Sequence, residues 1–184
     1  MSSKPHHEAD INYIDSKTDV NTNKIAVTFK PRGLNIVWGN DGRYWRFPNL
    51  PSSSATPSGE EEPVELVQVS WLEVTGSCPL RDSTKYQITF KLSFTRDAFG
   101  WSGAPVFLMA KVGKKGKYKW KKLKDLDKLP KTPTDFPSKE DSFIVESGPW
   151  QPDMRLYFGL YEVWSGKWKG GLKVHQATVQ EINS

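Results

Sequence analysis

The chain has 184 residues, enough for one domain with a hydrophobic core, and 12% of them are aromatic. The formal net charge is +5, and no apolar run reaches the roughly 20 residues that a membrane-spanning helix requires. Cys78 is the only cysteine, which excludes an intrachain disulfide, and the N-terminal residues lack the apolar core of a secretion signal. These features favour a soluble protein of a reducing compartment, the cytoplasm or the nucleus.

The N-terminal segment is polar and shows no periodic pattern, so we predict a flexible tail at residues 1–23. Residues 24–30 alternate and are rich in β-branched side chains, which predicts the first strand of a domain covering residues 24–184. Within that domain, residues 48–63 combine prolines and serines with three consecutive glutamates. This composition predicts a flexible acidic loop, with no boundary to a second domain.

Residues 35–47 are denser in aromatic rings than packing alone requires, and the rings are Trp38, Tyr44, Trp45 and Phe47. Two short apolar runs flank the segment Gly39-Asn40-Asp41-Gly42, whose residues tolerate a tight turn, so the pattern predicts a β-hairpin. Tryptophan is both large and amphipathic. From spacing alone, these rings therefore fit a flat binding platform and a hydrophobic core equally well.

The rest of the chain consists of short runs with strand character, separated by turns rich in glycine and proline. The clearest run is residues 85–95, where apolar and polar side chains alternate as they do in a half-exposed antiparallel strand. Further strands are predicted at about residues 64–75, 105–112, 118–123, 141–146, 154–164 and 172–182. Eight or nine short strands with almost no helical periodicity predict an all-β fold, a single-domain antiparallel β-sandwich.

Residue patterns typical of enzymes and metal sites are missing from the sequence, which has no P-loop, GxSxG, HExxH or EF-hand motif. His6 and His7 lie in the predicted tail, and His175 stands alone on a predicted strand. Cys78 has no second cysteine near it and is interpreted as a small apolar residue. We therefore expect no catalysis and no bound metal.

Lysines are concentrated in residues 111–128, which hold nine of them against two acidic residues. Aromatic residues lie between these lysines, and cations combined with rings suit contacts to phosphates and stacking on bases. The candidate nucleic-acid residues are Lys114, Lys115, Lys117, Lys119, Trp120, Lys121 and Lys122. The favoured alternative is a solvated edge hairpin whose charges discourage strand-to-strand aggregation.

A second candidate feature is Glu162, which ends an apolar strand and is followed by Trp164 and Trp168. A carboxylate beside indoles suits sugar recognition, because sugar hydroxyls donate to the carboxylate and the C–H face of the sugar stacks on tryptophan. The alternative interpretation is that Glu162 pairs with one of the nearby lysines.

Four motifs follow one another along the chain: residues 34–38 with 43–45, residues 69–76, residues 98–101 with 105–106, and Tyr161-Glu162 leading to residues 168–172. This ordered set spans about residues 26–182 and resembles the phloem protein 2, or Nictaba-like, lectins of plants. The resemblance implies a jelly-roll-like sandwich that binds N-acetylglucosamine oligomers or N-glycan cores, including those of glycoproteins. It also implies that the protein acts without catalysis, metal or cofactor, in the cytoplasm and nucleus and often in phloem.

The resemblance further implies where the sugar would bind. The two binding-site tryptophans of the family correspond to Trp38 and Trp45, and one binding-site glutamate corresponds to Glu162, while Arg155 stands at the position of the second glutamate. Less direct neighbours of this site are predicted to be Tyr44, Trp101 and Trp164. Because such sites bind weakly, a homodimer would raise the avidity. The alternative function is an RNA- or protein-binding structural component of phloem that keeps the fold without the sugar site.

Overall fold

The computed structural model describes residues 4–49 and 62–182. In these ranges the chain forms thirteen strands: β1 (Ile14–Thr18), β2 (Ile25–Phe29), β3 (Asn35–Ile36), β4 (Trp45–Arg46), β5 (Val64–Leu66), β6 (Leu72–Pro79), β7 (Lys85–Phe99), β8 (Phe107–Val112), β9 (Lys119–Lys122), β10 (Thr134–Phe136), β11 (Phe143–Glu146), β12 (Arg155–Glu162) and β13 (Gly170–Ile182). Short 3-10 helices lie at Ile11–Tyr13, Pro31–Gly33, Leu126–Lys128 and Lys139–Asp141. None of the helices in the described chain is long and apolar enough to cross a membrane. Most of the predicted loop at residues 48–63 falls outside the described residues and stays a prediction.

The strands pair into two antiparallel sheets. In the first sheet, β13 is central, with β5 and β2 along one edge and β7 along the other. Strand β4 extends this sheet beyond β5, β1 extends it beyond β2, and β10 and β11 both pair with the far edge of β7. The second sheet has the strand order β3-β6-β12-β8-β9. The predicted all-β antiparallel sandwich is confirmed.

A core of aromatic and aliphatic side chains lies between the two sheets. Phe158 of β12 packs against Phe29 of β2 and Phe90 of β7, with ring centroids 5.1 and 5.8 Å apart. Along β7 the alternation points Phe90 and Leu92 into the core, where both are fully buried, and points their polar neighbours outward. The strand predicted at residues 85–95 is therefore confirmed, together with its buried face.

The prediction of an N-terminal tail without structure is wrong for residues 4–23. Strand β1 pairs with β2 along its whole length and forms the edge of the first sheet, and His7 forms a further bridge with Ile36 of β3. Four of the five residues of β1 are exposed. The strand therefore lacks the alternation of buried and exposed positions by which sequence patterns reveal strands.

The predicted hairpin at residues 35–47 is also wrong. Strand β3 pairs with β6 in the second sheet, whereas β4 pairs with β5 in the first sheet. The intervening segment does turn, but it carries the chain from one sheet to the other. The Gly-Asn-Asp-Gly signal identifies a turn from local backbone preferences, and these preferences do not specify which strands the flanking residues will join.

Four loops meet at one end of the sandwich, which we call the tryptophan end: residues 37–44, 67–71, 100–106 and 163–169. The register places them there, since the last residue of β12 lies opposite the first residue of β6, and the next-to-last lies opposite the first residue of β8. A bridge between Val69 and Lys169 joins two of these loops directly. The tryptophan end therefore gathers residues that are far apart in the sequence.

Candidate functional site

Trp38 lies in the loop between β3 and β4 and is the predicted site residue with the most elaborate surroundings. Its backbone adopts the left-handed conformation, with φ of 65°, and its N–H donates to Nδ1 of His6 at 2.9 Å. The His6 ring meets the indole edge to face, with centroids 5.0 Å apart, and the Tyr44 ring lies 5.6 Å away. The indole remains 38% exposed, so it offers solvent a partly covered aromatic surface.

The N-terminal strap, residues 4–10, holds this loop in place. Asn40 donates from Nδ2 to the carbonyls of Lys4 and His6, and its backbone N–H donates to the carbonyl of Pro5. A Cβ on Gly39 would lie only 2.7 Å from Cβ of His7, so the strap approaches the loop as closely as a glycine permits. Hydrophobic periodicity could not predict the contact between the strap and this loop, because the strap consists mostly of polar residues in no periodic order.

Trp45 differs sharply from Trp38, although only six residues separate them. It lies opposite Leu66 in the β4–β5 pair and is 2% exposed, which makes it one of the largest buried side chains of the core. Its Nε1 is a fully buried side-chain nitrogen for which no hydrogen-bond partner exists among the described residues. The structure corrects the prediction of a stacking surface at Trp45, because no face of this indole is open to a ligand.

Trp101 was predicted as a neighbour of the site and is also part of the core. Its Nε1 donates to the carbonyl of Gly170 at 2.9 Å, and its ring packs edge to face on Phe94 at 5.3 Å. The indole fills the space below the loop of residues 100–106, where it is buried. The prediction of a sugar-facing Trp101 is therefore corrected in the same way as that of Trp45.

Glu162 forms a fully buried ion pair with Lys169, since both side chains are 0% exposed and Nζ lies 2.5 Å from Oε2. Lys169 also donates to the carbonyls of Ser70 and Lys167, at 3.0 and 2.9 Å. Ser165 donates to both carboxylate oxygens of Glu162, from its backbone N–H to Oε1 and from its hydroxyl to Oε2. The pairing of Glu162 with a nearby lysine, the alternative interpretation of the sequence, is confirmed.

The carboxyl group of Glu162 is held in its charged form. Burial by itself would raise the pKa of Glu162, but the hydrogen bonds from Lys169 and Ser165 and the positive charge of Lys169 outweigh burial and lower it below the ordinary value. All the donors to Glu162 belong to the loop of residues 163–169, and Lys169 also donates to the carbonyl of Ser70 in the neighbouring loop of residues 67–71. The ion pair therefore fastens two loops of the tryptophan end to the last residue of β12.

The second sheet brings the Trp38 loop and Glu162 to the same end but not into one pocket. The N–H of Val37 donates to the carbonyl of Glu73, which is next to Leu72, and Leu72 lies opposite Glu162. The Trp38 loop and the end of β12 are thus two strands apart, a separation of about 10 Å. Trp38 is exposed and Glu162 is buried, so the two side chains lie at different depths of the tryptophan end.

Comparison with known proteins gives the family. The family model for phloem protein 2 matches residues 24–180. The chain belongs to the phloem protein 2 family. This match confirms the resemblance to the family that the four sequence motifs indicated.

Two relatives of this phloem protein 2 chain come from plants. Protein PHLOEM PROTEIN 2-LIKE A9 of Arabidopsis thaliana is 44% identical over 187 residues, which is 96% of each chain. A protein of Luffa acutangula described as a lectin is 30% identical over 86 residues, which covers 45% of this chain and 39% of that protein. Among solved structures, a family 16 carbohydrate-binding module covers 69% of this chain and 77% of its own, at 9% identity and a TM-score of 0.38.

Further aromatic residues of this family member are exposed at the tryptophan end. Trp164, a predicted neighbour of the site, is 56% exposed and packs edge to face on Phe107. Trp71 and Trp168 are each about half exposed. The sequence placed Trp168 beside Glu162 as an indole suited to sugar recognition, whereas Trp71 was not predicted near the site. No signal in the sequence identified Trp71, because it lies inside the single strand predicted at residues 64–75, which the structure divides into β5 and β6 of different sheets.

The lysine segment of this phloem protein 2 chain splits into two groups. Lys119 donates to the carbonyl of Ile144, and Lys121 forms a 2.8 Å salt bridge with Asp141, so both tie the β8–β9 hairpin to the rest of the fold. The other group is exposed and has neither a salt bridge nor a side-chain hydrogen bond among the described residues: Lys114, Lys115, Lys117 and Lys122, with the exposed Trp120 between them. Strand β9 is an edge strand, as the favoured interpretation of this segment required.

The described residues contain no cluster of three or more histidine, cysteine or acidic side chains that could hold a metal ion. Of the residues set aside in the sequence analysis, His175 shares a 2.7 Å hydrogen bond between its Nε2 and Oγ of Ser93. Cys78 is buried, and burial raises the pKa of its thiol to about 12. Its interpretation as a small apolar residue is confirmed.

Proposed function

We propose that this protein is a lectin that binds carbohydrate at the tryptophan end. The observation that carries the proposal is the gathering of four exposed indoles, on three different loops, at one end of a sandwich. They are Trp38, Trp71, Trp164 and Trp168. Large exposed rings lose the favourable free energy of burial, so their concentration in one place indicates a surface that binds a ligand. Membership of the phloem protein 2 family and the similarity to a Luffa lectin support carbohydrate as that ligand.

The proposed ligands are N-acetylglucosamine oligomers and the cores of N-glycans. Their sugar rings present C–H faces and acetamido methyl groups that pack on indoles, and their hydroxyls can reach the polar side chains beside Trp38. Asp41 and Arg43 are such side chains: the Arg43 side chain is largely exposed, and that of Asp41 is partly exposed beside it in the same loop. We assign stacking to Trp38 with Tyr44, and a second contact to Trp164.

Glu162 has a different role in this proposal from the one that the family resemblance implies. Its two oxygens are already occupied by Ser165 and Lys169, and its side chain is enclosed. We infer that Glu162 positions the loop that carries Trp164 and Trp168, and that it does not receive a hydroxyl from the sugar. A glutamate held in this way also supports binding without catalysis, because neither a proton nor a nucleophilic oxygen is available to a glycan outside.

The proposed site of action is the cytoplasm or the nucleus, in keeping with a single buried thiol and no second cysteine. A homodimer would supply the avidity that a weak site lacks. Analytical ultracentrifugation at rising protein concentration would test this part of the proposal.

Titration with chitotriose, followed by intrinsic tryptophan fluorescence, tests the lectin proposal. We expect a saturable response in the millimolar range or below. The Trp38→Ala variant is expected to bind about fivefold more weakly, because the loss of one stacked ring costs about 1 kcal/mol. Trp150→Ala is the matched control, since Trp150 is 72% exposed in the segment between β11 and β12, at the opposite end.

The lectin proposal would be wrong if millimolar chitotriose gave no response and a glycan array showed no bound glycan. The assignment of the site would be wrong if Trp150→Ala weakened binding as much as Trp38→Ala did. Circular dichroism of both variants establishes that they are folded before their affinities are compared.

A further inference from the structure

The outward face of the second sheet carries a cluster of rings that the core does not use. Phe107 of β8 packs edge to face on Trp120 of β9 and on Trp164, with centroid distances of 5.4 and 5.2 Å. Beside them, the rings of Tyr118 and Tyr161 lie 6.5 Å apart. We call these five residues the outer aromatic face. Trp120 is 62% exposed, more than any of the four indoles of the tryptophan end.

The register explains why these rings share one side of the sheet. Phe107 lies directly opposite Tyr161 in the β8–β12 pair, and Trp120 lies opposite Met109 in the β8–β9 pair. Leu108, between Phe107 and Met109, points the other way and is fully buried in the core. The outer aromatic face is therefore a consequence of strand alternation, and it extends from the tryptophan end along the edge hairpin.

Positive charge surrounds this face. Nζ of Lys111 lies 4.6 Å from the centroid of the Tyr118 ring, and Lys122 lies opposite Phe107 in the sheet. Lys115 and Lys117, in the turn of the β8–β9 hairpin, are exposed and form no salt bridge within the described chain, and the same holds for Lys122. The basic side chains next to the rings are thus available to a ligand, whereas those on the other side of the hairpin are used by the fold.

We propose that the outer aromatic face binds an acidic oligosaccharide, a glycan chain that carries uronate carboxylates at intervals. Sugar rings would pack their C–H faces on Trp120 and Trp164, and Lys122 with the hairpin lysines would meet the carboxylates. The proposed ligand matches this face in the density of its charges as well as in their sign. In the described β8–β9 hairpin, four exposed lysines have neither a salt bridge nor a side-chain hydrogen bond: Lys114, Lys115, Lys117 and Lys122. Outside residues 111–128, acidic residues outnumber basic ones by two. This arrangement fits widely spaced carboxylates better than a nucleic acid, which carries a charge on every nucleotide.

This site shares Trp164 with the proposed chitotriose site and differs from it in its other contacts. Trp120 and Lys122 belong to the β8–β9 hairpin, whereas Trp38 and Tyr44 belong to the loop between β3 and β4. Because only Trp164 is shared, loss of the contacts at Trp38 and Tyr44 would leave Trp120 and the hairpin lysines able to bind an acidic ligand. The experiment below uses variants in Trp120 and Lys122 so that the two proposals are tested separately.

Isothermal titration with a short, partly methyl-esterified oligogalacturonate, whose free carboxylates are spaced along the chain, tests the proposal at two salt concentrations. We expect the wild-type protein to bind, with an affinity that falls as salt rises. Trp120→Ala should weaken binding about threefold to tenfold, the change expected when one ring contact is lost. Lys122→Ala should weaken binding and also reduce its dependence on salt, because one cationic contact is removed. Both variants should bind chitotriose as the wild type does.

Two matched controls use exposed side chains elsewhere. Trp150→Ala removes an exposed indole from the opposite end, and Lys17→Ala removes an exposed lysine from the edge strand of the first sheet. Neither should change oligogalacturonate binding. No binding of oligogalacturonate by the wild type would overturn the proposal, and so would equal losses in the controls. Tighter binding of single-stranded RNA, weakened by the Trp120 and Lys122 variants, would assign the face to nucleic acid instead.

Discussion

Two ion pairs at the tryptophan end join similar groups in opposite environments. Arg43 donates from Nε and Nη2 to the two oxygens of Asp41, at 3.0 and 2.7 Å, at the exposed rim of the Trp38 loop. Lys169 meets Glu162 in a space from which water is excluded. These bonds lower the pKa of Asp41 to about 2 and also lower that of Glu162. A depressed pKa at an exposed pair is not a measure of its contribution to folding, because water screens and replaces the same contacts.

The buried pair differs because nothing can replace a lost partner there. If Lys169 is removed, Glu162 keeps its enclosed position and must remain charged without compensation or take up a proton. The two loops that Lys169 joins through Ser70 and Lys167 would also lose their common donor. The contrast between the two pairs therefore predicts large effects of substitutions at one and small effects at the other.

The largest effect is expected for Lys169→Met, which retains length and apolar volume but removes the charge. The free energy of unfolding should fall by about 3–5 kcal/mol, the range for removal of one partner of a buried ion pair. Urea denaturation followed by circular dichroism measures it. Lys167→Met is the control, because Lys167 is an exposed lysine of the same loop. A loss below about 1 kcal/mol for Lys169→Met would show that the pair is not needed for stability.

A smaller effect, which depends on pH, is expected from the charge of Glu162. Because the folded state lowers the pKa of Glu162 from its ordinary value of 4.5, ionisation of this group stabilises the fold above that value. This stabilisation is lost as the pH falls through the lowered pKa of the folded state. Glu162→Gln should therefore be less stable than the wild type at neutral pH, and the difference should shrink below pH 4.5.

Denaturation of both proteins between neutral and acid pH would measure that difference. A constant difference at all pH values would mean that packing of the side chain, and not its charge, accounts for the loss. The quantity to follow is the difference in unfolding free energy between the wild type and the variant. Other carboxyl groups with lowered pKa values, including those of Asp97 and Asp141, titrate alike in both proteins and cancel in that difference.

The smallest effect is expected at the exposed pair. Arg43→Ala should leave the midpoint of urea denaturation unchanged within error, since the Arg43 side chain is largely exposed and water can solvate Asp41 in its place. If this variant destabilised the protein as strongly as Lys169→Met, exposure would be a poor guide to the importance of an ion pair at this end. Chitotriose titration of the same variant would separate a role in binding from a role in folding.

Local patterns in the sequence were sufficient for much of the fold. The alternation in residues 85–95 predicted both the strand and the face that it buries, because a strand in a sandwich must place apolar side chains on one side. The exposed strand β1 could not be found in this way, since it contributes little to the core. For the candidate site, the patterns could not tell which of the predicted rings would be exposed.

Trp38 and Trp45 show what the sequence by itself determined and what only the tertiary structure decided. The sequence determined that two indoles flank a tight turn, and that a carboxylate and further tryptophans follow far along the chain. Only the assembled sheets decided that Trp45, paired with Leu66, would be buried while Trp38, six residues away, would remain at the surface. The same holds for Glu162, whose partner Lys169 was one of several nearby lysines in the sequence. The physical reason is that burial depends on contacts with strands distant in sequence, which a local pattern does not contain.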